Sequence, residues 1–375
     1  MQANIVIGLG FGDEGKGITT DYLCSQASDT PIVIRFSGGQ QAGHTVMLGE
    51  KKHVHSNYCS GTLRGIKSYF TEHCSIYLNT MLEERKVLQE KGVTPKLYVH
   101  PLAKLTTPYD VAYNRVMERK LGHGSCGLGI AATMKRHNET GYKVYAMDFE
   151  VAPILTAKLG KIREYYFSLL TNADDRLEFV SEYEKQFGDF VRGLGTWDLF
   201  EVKDYKWLRG YKYIIFEGSQ GIMLDMDYGI FPNVTYANTT SKNALEVMQK
   251  VFSSYKRGQL TVNYVTRSYQ TRHGVGWMSN QSPVELVNNQ EEINVYNPWQ
   301  TQFRIAELDP VLLNYAMGID NNYLDHRVAR NLVVTCMDQR PGVSFPLNKL
   351  TTRVGRTFDK VLWSHSPYSK DIVVS

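Results

Sequence analysis

Residues 4–20, NIVIGLGFGDEGKGITT, decide the fold that this chain is expected to adopt. Their first part, NIVIGLG, is a short apolar run bounded by glycine, which predicts a buried strand. KGITTDYLCSQ (16–26) has helical spacing, and PIVIRFS (31–37) predicts a second strand. A strand, a glycine turn, a helix and a strand in this order predict an α/β fold with a mostly parallel sheet, whose site lies at the carboxyl ends of the strands.

The turn between the first strand and the helix partly fits two phosphate-binding patterns. Gly10, Gly12 and Gly15 match G-x-G-x-x-G, the dinucleotide pattern. That pattern also needs an acidic residue after the second strand, where this chain has FSGGQQAGH. Gly10, Gly15 and Lys16 match the P-loop pattern G-x-x-x-x-G-K, but Gly17 stands where serine or threonine should follow. The turn is therefore P-loop-like without completing either pattern.

Two carboxylates, Asp13 and Glu14, lie in the middle of this turn and would repel a bound phosphate. Backbone N–H groups at a helix N-terminus, together with Lys16, can hold a polyphosphate. Asp13 then has two open roles, as a ligand of Mg²⁺ that offsets the repulsion or as a base that takes a proton from a substrate. A turn that only packs is the remaining alternative, which so many glycines and charges disfavour.

The rest of the chain predicts one α/β domain over residues 1–375. Residues 46–56 predict a hairpin around Gly49, and residues 79–92 a helix that ends in glycine. The charged segment at about 150–208 has helical spacing and predicts a helical insertion on one side of the sheet. Further strands are predicted at 96–102, 211–221, 259–269 and 331–338.

The composition is that of a folded globular protein, with 42% hydrophobic and 21% charged residues. A net charge of +4 is too small to predict nucleic-acid binding, though it suits anionic small substrates. No apolar run approaches the roughly 18 residues of a membrane span. The five cysteines include no C-x-x-C pair, which indicates reduced thiols and a cytoplasmic location.

Four motifs together resemble the adenylosuccinate synthetase family. GFGDEGKG and RFSGGQQAGHT are similar to its W-G-D-E-G-K-G and G-G-x-N-A-G-H-T. FEGSQGIMLDMDYGIFPNVTYANTT (216–240) resembles F-E-G-A-Q-G-x-x-L-D-x-D-x-G-x-Y-P-x-V-T-x-S-N-T-T, and TRSYQTRHGVG (266–276) resembles K-x-Y-x-T-R-V-G-x-G. Because four motifs in the family's order are far more specific than one, the chain is identified as a member.

The resemblance implies a two-step ligation of purine nucleotide biosynthesis. A nucleoside triphosphate, GTP or ATP, phosphorylates O6 of a 6-oxopurine nucleotide, usually inosinate, and the amino group of L-aspartate then displaces the phosphate to give adenylosuccinate. By resemblance Asp13 is the base, His44 the acid, and Gln220 orients the base and O6. The implied cofactor is Mg²⁺, held between Asp13 and the carbonyl of Gly43.

Other positions carry over from the family one at a time. The residues expected at the phosphates of the triphosphate are Gly12, Glu14, Gly15, Lys16, Gly17 and Thr45. Those expected at the substrate nucleotide are Gln41, Ser125, Thr235 and Arg136, the last matching an arginine that reaches a neighbouring subunit and so implies a homodimer. L-Aspartate is expected to contact Thr301, Arg304 and Arg272, and the base of the triphosphate Asp338.

Two family segments are eroded in this chain. The aspartate-binding loop T-T-G-R-R-R-R-x-G-W-L-D has PWQTQFRIAELD (298–309) as its counterpart, in which Arg304 is the arginine that remains. Arg267 or Arg272 is expected to compensate. The guanine-recognising T-K-L-D appears as TCMD (335–338), which keeps Asp338 but has Cys336 in place of lysine. The choice between GTP and ATP stays open for that reason.

Two alternatives accompany the expected reaction. A phage branch of the family acts on deoxyguanylate, and Gln41 replaces the usual asparagine close to the oxopurine nucleotide. The retained Asp13 favours inosinate, with guanylate or deoxyguanylate as the second choice. The second alternative is a regulator that binds nucleotide without catalysis. It is disfavoured because the chain retains Asp13 together with Lys16, His44 and Gln220.

Overall fold

The computed structural model describes residues 1–122, 125–282, 284–287, 303–351 and 358–375. Thr301 lies outside these residues. The helices are α1 (Lys16–Gln26), α2 (Leu78–Glu90), α3 (Pro108–Leu121), α4 (Ile130–Glu139), α5 (Ala152–Leu169), α6 (Ala173–Gly195), α7 (Lys242–Phe252) and α8 (Pro310–Asp320). The strands are β1 (Gln2–Gly8), β2 (Ile32–Arg35), β3 (His44–Leu48), β4 (Lys51–His55), β5 (Lys67–Phe70), β6 (Ser75–Ile76), β7 (Leu97–Val99), β8 (Lys104–Leu105), β9 (Glu201–Val202), β10 (Tyr213–Gly221), β11 (Leu260–Arg267), β12 (Gln270–His273), β13 (Phe303–Ala306), β14 (Ala329–Thr335), β15 (Lys360–Ser364) and β16 (Ile372–Val374).

Ten of these strands form one sheet, in the order β16, β15, β14, β11, β1, β10, β2, β5, β7, β9. Every neighbouring pair is parallel except β15 with β16. The mostly parallel α/β sheet predicted from residues 4–37 is confirmed. Because parallel strands carry their carboxyl ends to one edge, the loops after β1, β2, β10, β11 and β14 meet there.

The sheet is buried on both faces, as its apolar strands require. Side chains alternate along β1, so that Ile5 and Ile7 pack in one apolar layer and Val6 in the other. Each fully buried side chain of this size contributes roughly 1.5–3 kcal/mol to folding before chain entropy is subtracted. The central position of β1 follows from this double burial, and it places the glycine turn in the middle of the functional edge.

The predicted hairpin and the helical insertion are both present, with one difference in extent. β3 and β4 pair antiparallel around Gly49, whose φ of 59° suits glycine. α5 and α6 account for most of the segment at about 150–208. Its last part is not α-helical, because β9 pairs with β7 and extends the large sheet at its edge. Among the described residues, no helix combines the length and apolarity that crossing a membrane would demand.

Candidate active site

The loop between β1 and α1 turns its two carboxylates in different directions. Glu14 is buried beneath the loop, where its Oε1 accepts hydrogen bonds from the backbone N–H of Gly10 at 3.0 Å and of Gly12 at 2.8 Å. Its Oε2 accepts a hydrogen bond from Lys16 Nζ. Glu14 is thus an internal counterion that shapes the loop. Because its carboxylate is used in this way, only the backbone N–H of Glu14 would be able to contact a bound phosphate.

Glycines leave the space that the buried carboxylate occupies. A Cβ at Gly8 would lie 2.2 Å from Glu14 Oε2, and one at Gly221 would lie 2.2 Å from Glu14 Oε1. Gly15, with φ of 98°, begins α1 in a conformation that few other residues adopt. The glycine density of both motifs therefore has a steric cause, which is the packing of β10 and the loop around Glu14.

Gly17 departs from the P-loop pattern for a reason of packing. A Cβ at Gly17 would lie 2.9 Å from the carbonyl oxygen of Thr45 and 3.0 Å from the Cβ of His44. The first turn of α1 therefore touches the start of β3 directly, which leaves no room for the serine or threonine of a P-loop. The same contact brings Thr45 and His44 beside the helix N-terminus that is expected to hold phosphate.

Asp13 faces the surface of the functional edge, with about a quarter of its side chain exposed. Its backbone is in the left-handed region at φ 62°. Arg267 Nε donates to the carbonyl oxygen of Asp13 at 2.6 Å, and His273 Nε2 lies 3.2 Å from Oδ2. Burial alone would raise the pKa of Asp13, but the hydrogen bond and charge of His273, followed by Arg267 and Lys16, lower it below its ordinary value.

Gln220 shares this unusual backbone conformation, also at φ 62°. It is the penultimate residue of β10, where the register between β1 and β10 shifts between the pairs Val6–Glu217 and Gly8–Gly221. A residue other than glycine at positive φ costs of order 1–3 kcal/mol, and such strain clusters at functional sites. Two strained residues at the expected base and its partner are therefore consistent with a catalytic edge.

His44 is held by Glu217, a residue that the sequence analysis missed. Its Nδ1 lies 2.7 Å from Glu217 Oε1, and Arg35 Nε donates to Oε2 of the same carboxylate at 3.1 Å. Ser60 Oγ also donates to Glu217. Burial alone would raise the pKa of Glu217, but Arg35 and then His44 hold it well below its ordinary value. A carboxylate inside the apolar run YIIFEGSQG was the available signal.

The pKa of His44 and its contact with Glu217 together indicate the charge of the ring and the nitrogen that carries its proton. Burial and the charge of Arg35 lower this pKa to about 4, although Glu217 acts in the opposite direction. The imidazole is therefore neutral near neutral pH, with its proton on Nδ1 because an ionised Glu217 can only accept. Nε2 then carries no proton. An anion bound beside the ring would favour protonation of Nε2.

Two of the residues expected at the substrate nucleotide, Gln41 and Ser125, lie on loops that touch. Gln40 Nε2 donates to the carbonyl oxygen of Leu128 at 2.9 Å, which joins the loop of Gln41 to that of Ser125. Ser125 Oγ donates to Asn114 Oδ1 at 3.1 Å. Both polar side-chain atoms of Gln41 are buried without a hydrogen-bond partner in the described part of the chain. Buried amides normally find partners, so Gln41 is poised for a polar ligand.

Arg136 makes its contacts within this chain. Its side chain is fully buried, with Nε and Nη2 each donating to Asp110 at 2.8 Å. Nη1 and Nη2 also donate to the carbonyl oxygens of Tyr142 and Leu105. All three guanidinium nitrogens are thus used between α3 and α4. The ion pair holds the side chain inside this chain, and the contact between Arg136 and the nucleotide of a neighbouring subunit stays a prediction.

Arg272 and Arg304 lie directly opposite each other on the antiparallel pair β12–β13. Burial and then the charge of Arg304 lower the pKa of Arg272 to about 10, still far above neutrality. The Nε of each arginine is buried and has no hydrogen-bond partner among the described residues. Two adjacent cations with unused donors have the chemistry that an anion site requires, and the pair is called the anion site below.

The surroundings of Arg272 join this anion site to the other loops. Its guanidinium lies over the ring of Phe11 at 4.4 Å from the centroid, next to the glycine loop. Its Nη2 donates to the carbonyl oxygen of Asn233 at 3.0 Å, and Nη1 donates to that of Trp277 at 2.6 Å. Thr235 is two residues beyond Asn233, so its loop borders the same site.

The segment TCMD also reaches the glycine loop. Thr335 Oγ1 donates to the carbonyl oxygen of Glu14 at 2.7 Å, and Cys336 has a left-handed φ of 57°. Asp338 follows in a short helical turn, where Oδ2 accepts a hydrogen bond from Gln339 at 2.9 Å. The structure therefore brings the segment predicted for the triphosphate base to the carboxyl edge.

The oxygen ligands expected for Mg²⁺ are compatible with that ion. Mg²⁺ in nucleotide sites uses one or two carboxylates together with phosphates and water. Asp13 offers a partly exposed carboxylate, and Gly43 lies at an exposed position immediately before β3. The two clusters of potential metal ligands in the described part of the chain, around Glu84 and Glu246, do not include Asp13. A magnesium site here would therefore need ligands from the substrate.

Comparison with known proteins agrees with these observations. The sequence model of the adenylosuccinate synthetase family matches residues 5–337. The chain is 29% identical to the adenylosuccinate synthetase of Clostridium beijerinckii. The alignment, 395 residues long, covers 98% of this chain and 84% of the relative. It is 30% identical to that of a Clostridium botulinum strain, with the same coverage of 98% and 84%.

Two solved structures share the fold. Fully ligated adenylosuccinate synthetase from Plasmodium falciparum matches with a TM-score of 0.65 at 20% identity, over 100% of this chain and 88% of that chain. Succinoaminodeoxyadenylate synthetase of cyanophage S-2L, bound to dGMP and to dATP as an energy donor, also matches with a TM-score of 0.65, at 16% identity over 99% and 95% of the two chains.

The family match covers most of the chain, including all four motifs that shape the functional edge. The buried Glu14, the outward Asp13 and the pair His44–Glu217 lie within those motifs. This chain therefore belongs to the adenylosuccinate synthetase family and is a ligase of that type.

Proposed function

We propose that this ligase joins the amino group of L-aspartate to C6 of inosinate, using a nucleoside triphosphate and forming adenylosuccinate. The observation that carries the proposal is the division of labour in the glycine loop. Glu14 neutralises Lys16 and orders the loop from below, which leaves Asp13 free at the surface to act on a substrate. An acidic loop is then compatible with an anionic ligand.

In the first step, Asp13 takes the proton from N1 of the oxopurine ring. The electron pair released makes O6 a nucleophile, which forms a bond to the γ-phosphorus while the bond to the β-phosphate oxygen breaks. The amides of the loop and Lys16 offset the negative charge on the phosphoryl group, which is mainly an electrostatic and positioning task. His44, once protonated beside the anion, donates from Nε2, and Glu217 keeps its ring in place.

In the second step, the amino group of L-aspartate attacks C6, the C6–O6 bond breaks so that O6 leaves with the phosphate, and the attacking nitrogen loses a proton to the departing phosphate. The pair Arg272 and Arg304 supplies the carboxylate contacts, in place of the family's run of four arginines. Arginine forms forked hydrogen bonds with carboxylates, and both Nε atoms here are unused. This geometry favours a donor with carboxylate groups over an uncharged amine.

We further propose that Asp13 and the carbonyl of Gly43 hold Mg²⁺ when the triphosphate is bound. The ion would supply neutralisation of the phosphate charge. Guanylate and deoxyguanylate remain the alternative acceptors, and GTP and ATP the alternative donors. A homodimer, a contact of Arg136 with the nucleotide of a neighbouring subunit and a cytoplasmic location are proposals from the family.

A substrate matrix tests the function. Inosinate, guanylate and deoxyguanylate would each be combined with GTP or ATP, with and without L-aspartate, and phosphate release measured. We expect sustained release with inosinate only when L-aspartate is present. Preferred turnover of deoxyguanylate would move the assignment to the second acceptor. Calorimetric nucleotide binding with no release in any combination would instead indicate a regulator and overturn the ligase reaction.

The role of Asp13 has its own variant. Asp13→Asn should lower kcat by about 10²–10⁴-fold, because a positioned base typically contributes that much. Asp29→Asn, an exposed aspartate before β2, is the matched control and should retain wild-type turnover. An Asp13→Asn enzyme with near-normal kcat would remove Asp13 from the first step.

A further inference from the structure

His273 lies against Asp13 at the end of β12, where the family pattern K-x-Y-x-T-R-V-G-x-G has valine. Its Nε2 is 3.2 Å from Asp13 Oδ2. Its ring packs against Phe303, the residue opposite it on β13, with the two ring centroids 4.8 Å apart. Valine at this position could pack against the phenyl ring but could not donate a hydrogen bond.

The same strands already hold the backbone on which Asp13 is mounted. Arg267 Nε, at the end of β11, donates to the carbonyl oxygen of Asp13 at 2.6 Å. Thr271 Oγ1, on β12, donates to the carbonyl oxygen of Gly12 at 3.1 Å. These two contacts fix the main chain in its left-handed conformation but leave the carboxylate free to rotate. The torsion angle about the Cβ–Cγ bond of an aspartate takes a broad range of values, so this bond alone does not fix the carboxylate.

Resting on the proposed role of Asp13 as the base, we propose that His273 is a positioning residue that orients the Asp13 carboxylate. Nε2–H donates to Oδ2, so that Oδ1 is the oxygen turned toward the purine N1. With Arg267 on the carbonyl of Asp13 and Thr271 on that of Gly12, this donor gives the Gly12–Asp13 segment a third point of attachment to β11 and β12. An unoriented base is costly, since a displacement of about 1 Å can lower a rate by about 10²-fold.

The position of His273 also connects the base with the anion site. Arg272 is the preceding residue on β12, and Arg304 lies on β13 beside Phe303. The strand pair that would bind the carboxylates of L-aspartate therefore also holds the group that orients the base. Both halves of the reaction depend on one small two-stranded element.

Two substitutions separate the hydrogen bond from the ring packing. His273→Phe keeps an aromatic ring against Phe303 and removes the donor. His273→Gln removes the ring and keeps a side-chain N–H donor at a similar distance from the backbone. We expect His273→Phe to lower kcat by about 10- to 100-fold with KM for nucleotide and L-aspartate changed by less than about threefold. His273→Gln should recover most of the lost kcat.

His326→Phe is the matched control, since His326 is exposed near the amino end of β14, at the opposite edge of the sheet. It should leave kcat unchanged. Thermal unfolding and calorimetric nucleotide binding of the His273 variants show whether each is folded and able to bind. Equal kcat for wild type and a folded His273→Phe enzyme overturns the positioning role alone, as does failure of His273→Gln to exceed His273→Phe. A wild-type enzyme without acceptor-dependent phosphate release overturns the proposed function, and this inference with it.

Discussion

The glycine loop (residues 8–17) and the arginine pair (Arg272 and Arg304 on β12–β13) lie on the same functional edge but are built in different ways. In the loop, one carboxylate organises its own neighbours, since Glu14 contacts Gly10, Gly12 and Lys16. In the arginine pair, two cations 32 residues apart in the sequence meet across an antiparallel pair, and no carboxylate among the described residues pairs with either of them.

This difference explains which parts of the family pattern survive in this chain. The loop is internally complete, so changing one of its residues would disturb several of its contacts, and the family motif is kept from Gly12 to Gly17. The arginine pair keeps the Nε of both residues without a partner among the described residues, so a ligand would complete it. Arg304 is the arginine that remains of the family's run of four, and Arg272 matches the arginine of the family's T-R-V-G segment, so this facing pair is what is left of a larger set of cations. We therefore expect changes in the loop to affect mainly folding, and changes in the arginine pair to affect mainly ligand binding.

Glu14→Gln should give the largest effect and would test whether the loop is self-contained. The neutral amide of glutamine removes the negative charge that now pairs with Lys16 and accepts hydrogen bonds from the backbone N–H groups of Gly10 and Gly12. Removing one partner of a buried ion pair typically costs about 3–5 kcal/mol, and we expect a loss of that order in the free energy of unfolding, measured by urea denaturation.

The control for this change is a surface pair of the same chemistry. Glu164 accepts a hydrogen bond from Lys161 at 2.8 Å on α5, with both side chains exposed. Exposed pairs contribute little, so Glu164→Gln should leave the denaturation midpoint unchanged. Equal stabilities of the Glu14→Gln and Glu164→Gln proteins would contradict the idea that the loop is organised from within.

Arg304→Leu should affect binding and not folding. A hydrogen bond to a charged group contributes about 1.5–3 kcal/mol, so we expect KM for L-aspartate to rise by roughly 10- to 100-fold. The KM for the nucleotide and the denaturation midpoint should change little, because Arg304 is completed by the ligand. Arg257→Leu, at an exposed position before β11, is the control. A large loss of stability without a change in KM would show that the arginine pair is structural after all.

The pH dependence of stability should give the smallest effect and would separate the two regions again. His44, beside the loop, has a pKa near 4, below its ordinary value of 6.5. Between these pH values the unfolded chain binds a proton that the folded chain does not, so stability falls as pH falls from 6.5 to 4. The arginine pair does not titrate in this range, because the pKa of Arg272 is about 10.

Thermal unfolding of wild type and His44→Gln checks this expectation. We expect the wild-type Tm to fall by a few degrees more than that of the variant over this range. The other buried neutral histidines, among them His55 and His137, contribute equally to both proteins and cancel in the comparison. Parallel Tm curves for the two proteins would show that His44 is not held neutral by the fold.

Much of the fold followed from local patterns. The strand at residues 4–10, the helix at 16–26 and the hairpin around Gly49 were predicted close to their observed bounds, because apolar spacing and glycine act over a few residues. The pairs β12–β13 and β15–β16 were not predicted. Their strands are short, partly polar and stabilised mainly by the partner strand, so their own sequence carries little signal.

The candidate site followed the same division. Motifs identified Asp13, Lys16, His44 and Gln220, and the structure places all four on or next to the carboxyl edge. The ion pair of Arg136 with Asp110 was not predicted, because a sequence shows that an arginine is present and not which carboxylate it contacts. The partners of His44 and Asp13 were not predicted. Glu217 contacts His44, and His273 contacts Asp13, because strand pairing brings distant parts of the chain together.

What the amino-acid sequence determined by itself was therefore the layered α/β sheet, the glycine loop and the family. These depend on spacing, burial and steric freedom within single segments. The tertiary structure alone decided which carboxylate of the loop faces inward, which arginines face each other and which histidine lies against the base. Those outcomes depend on contacts between strands far apart in the chain, where a few ångströms of packing decide which way each charge points.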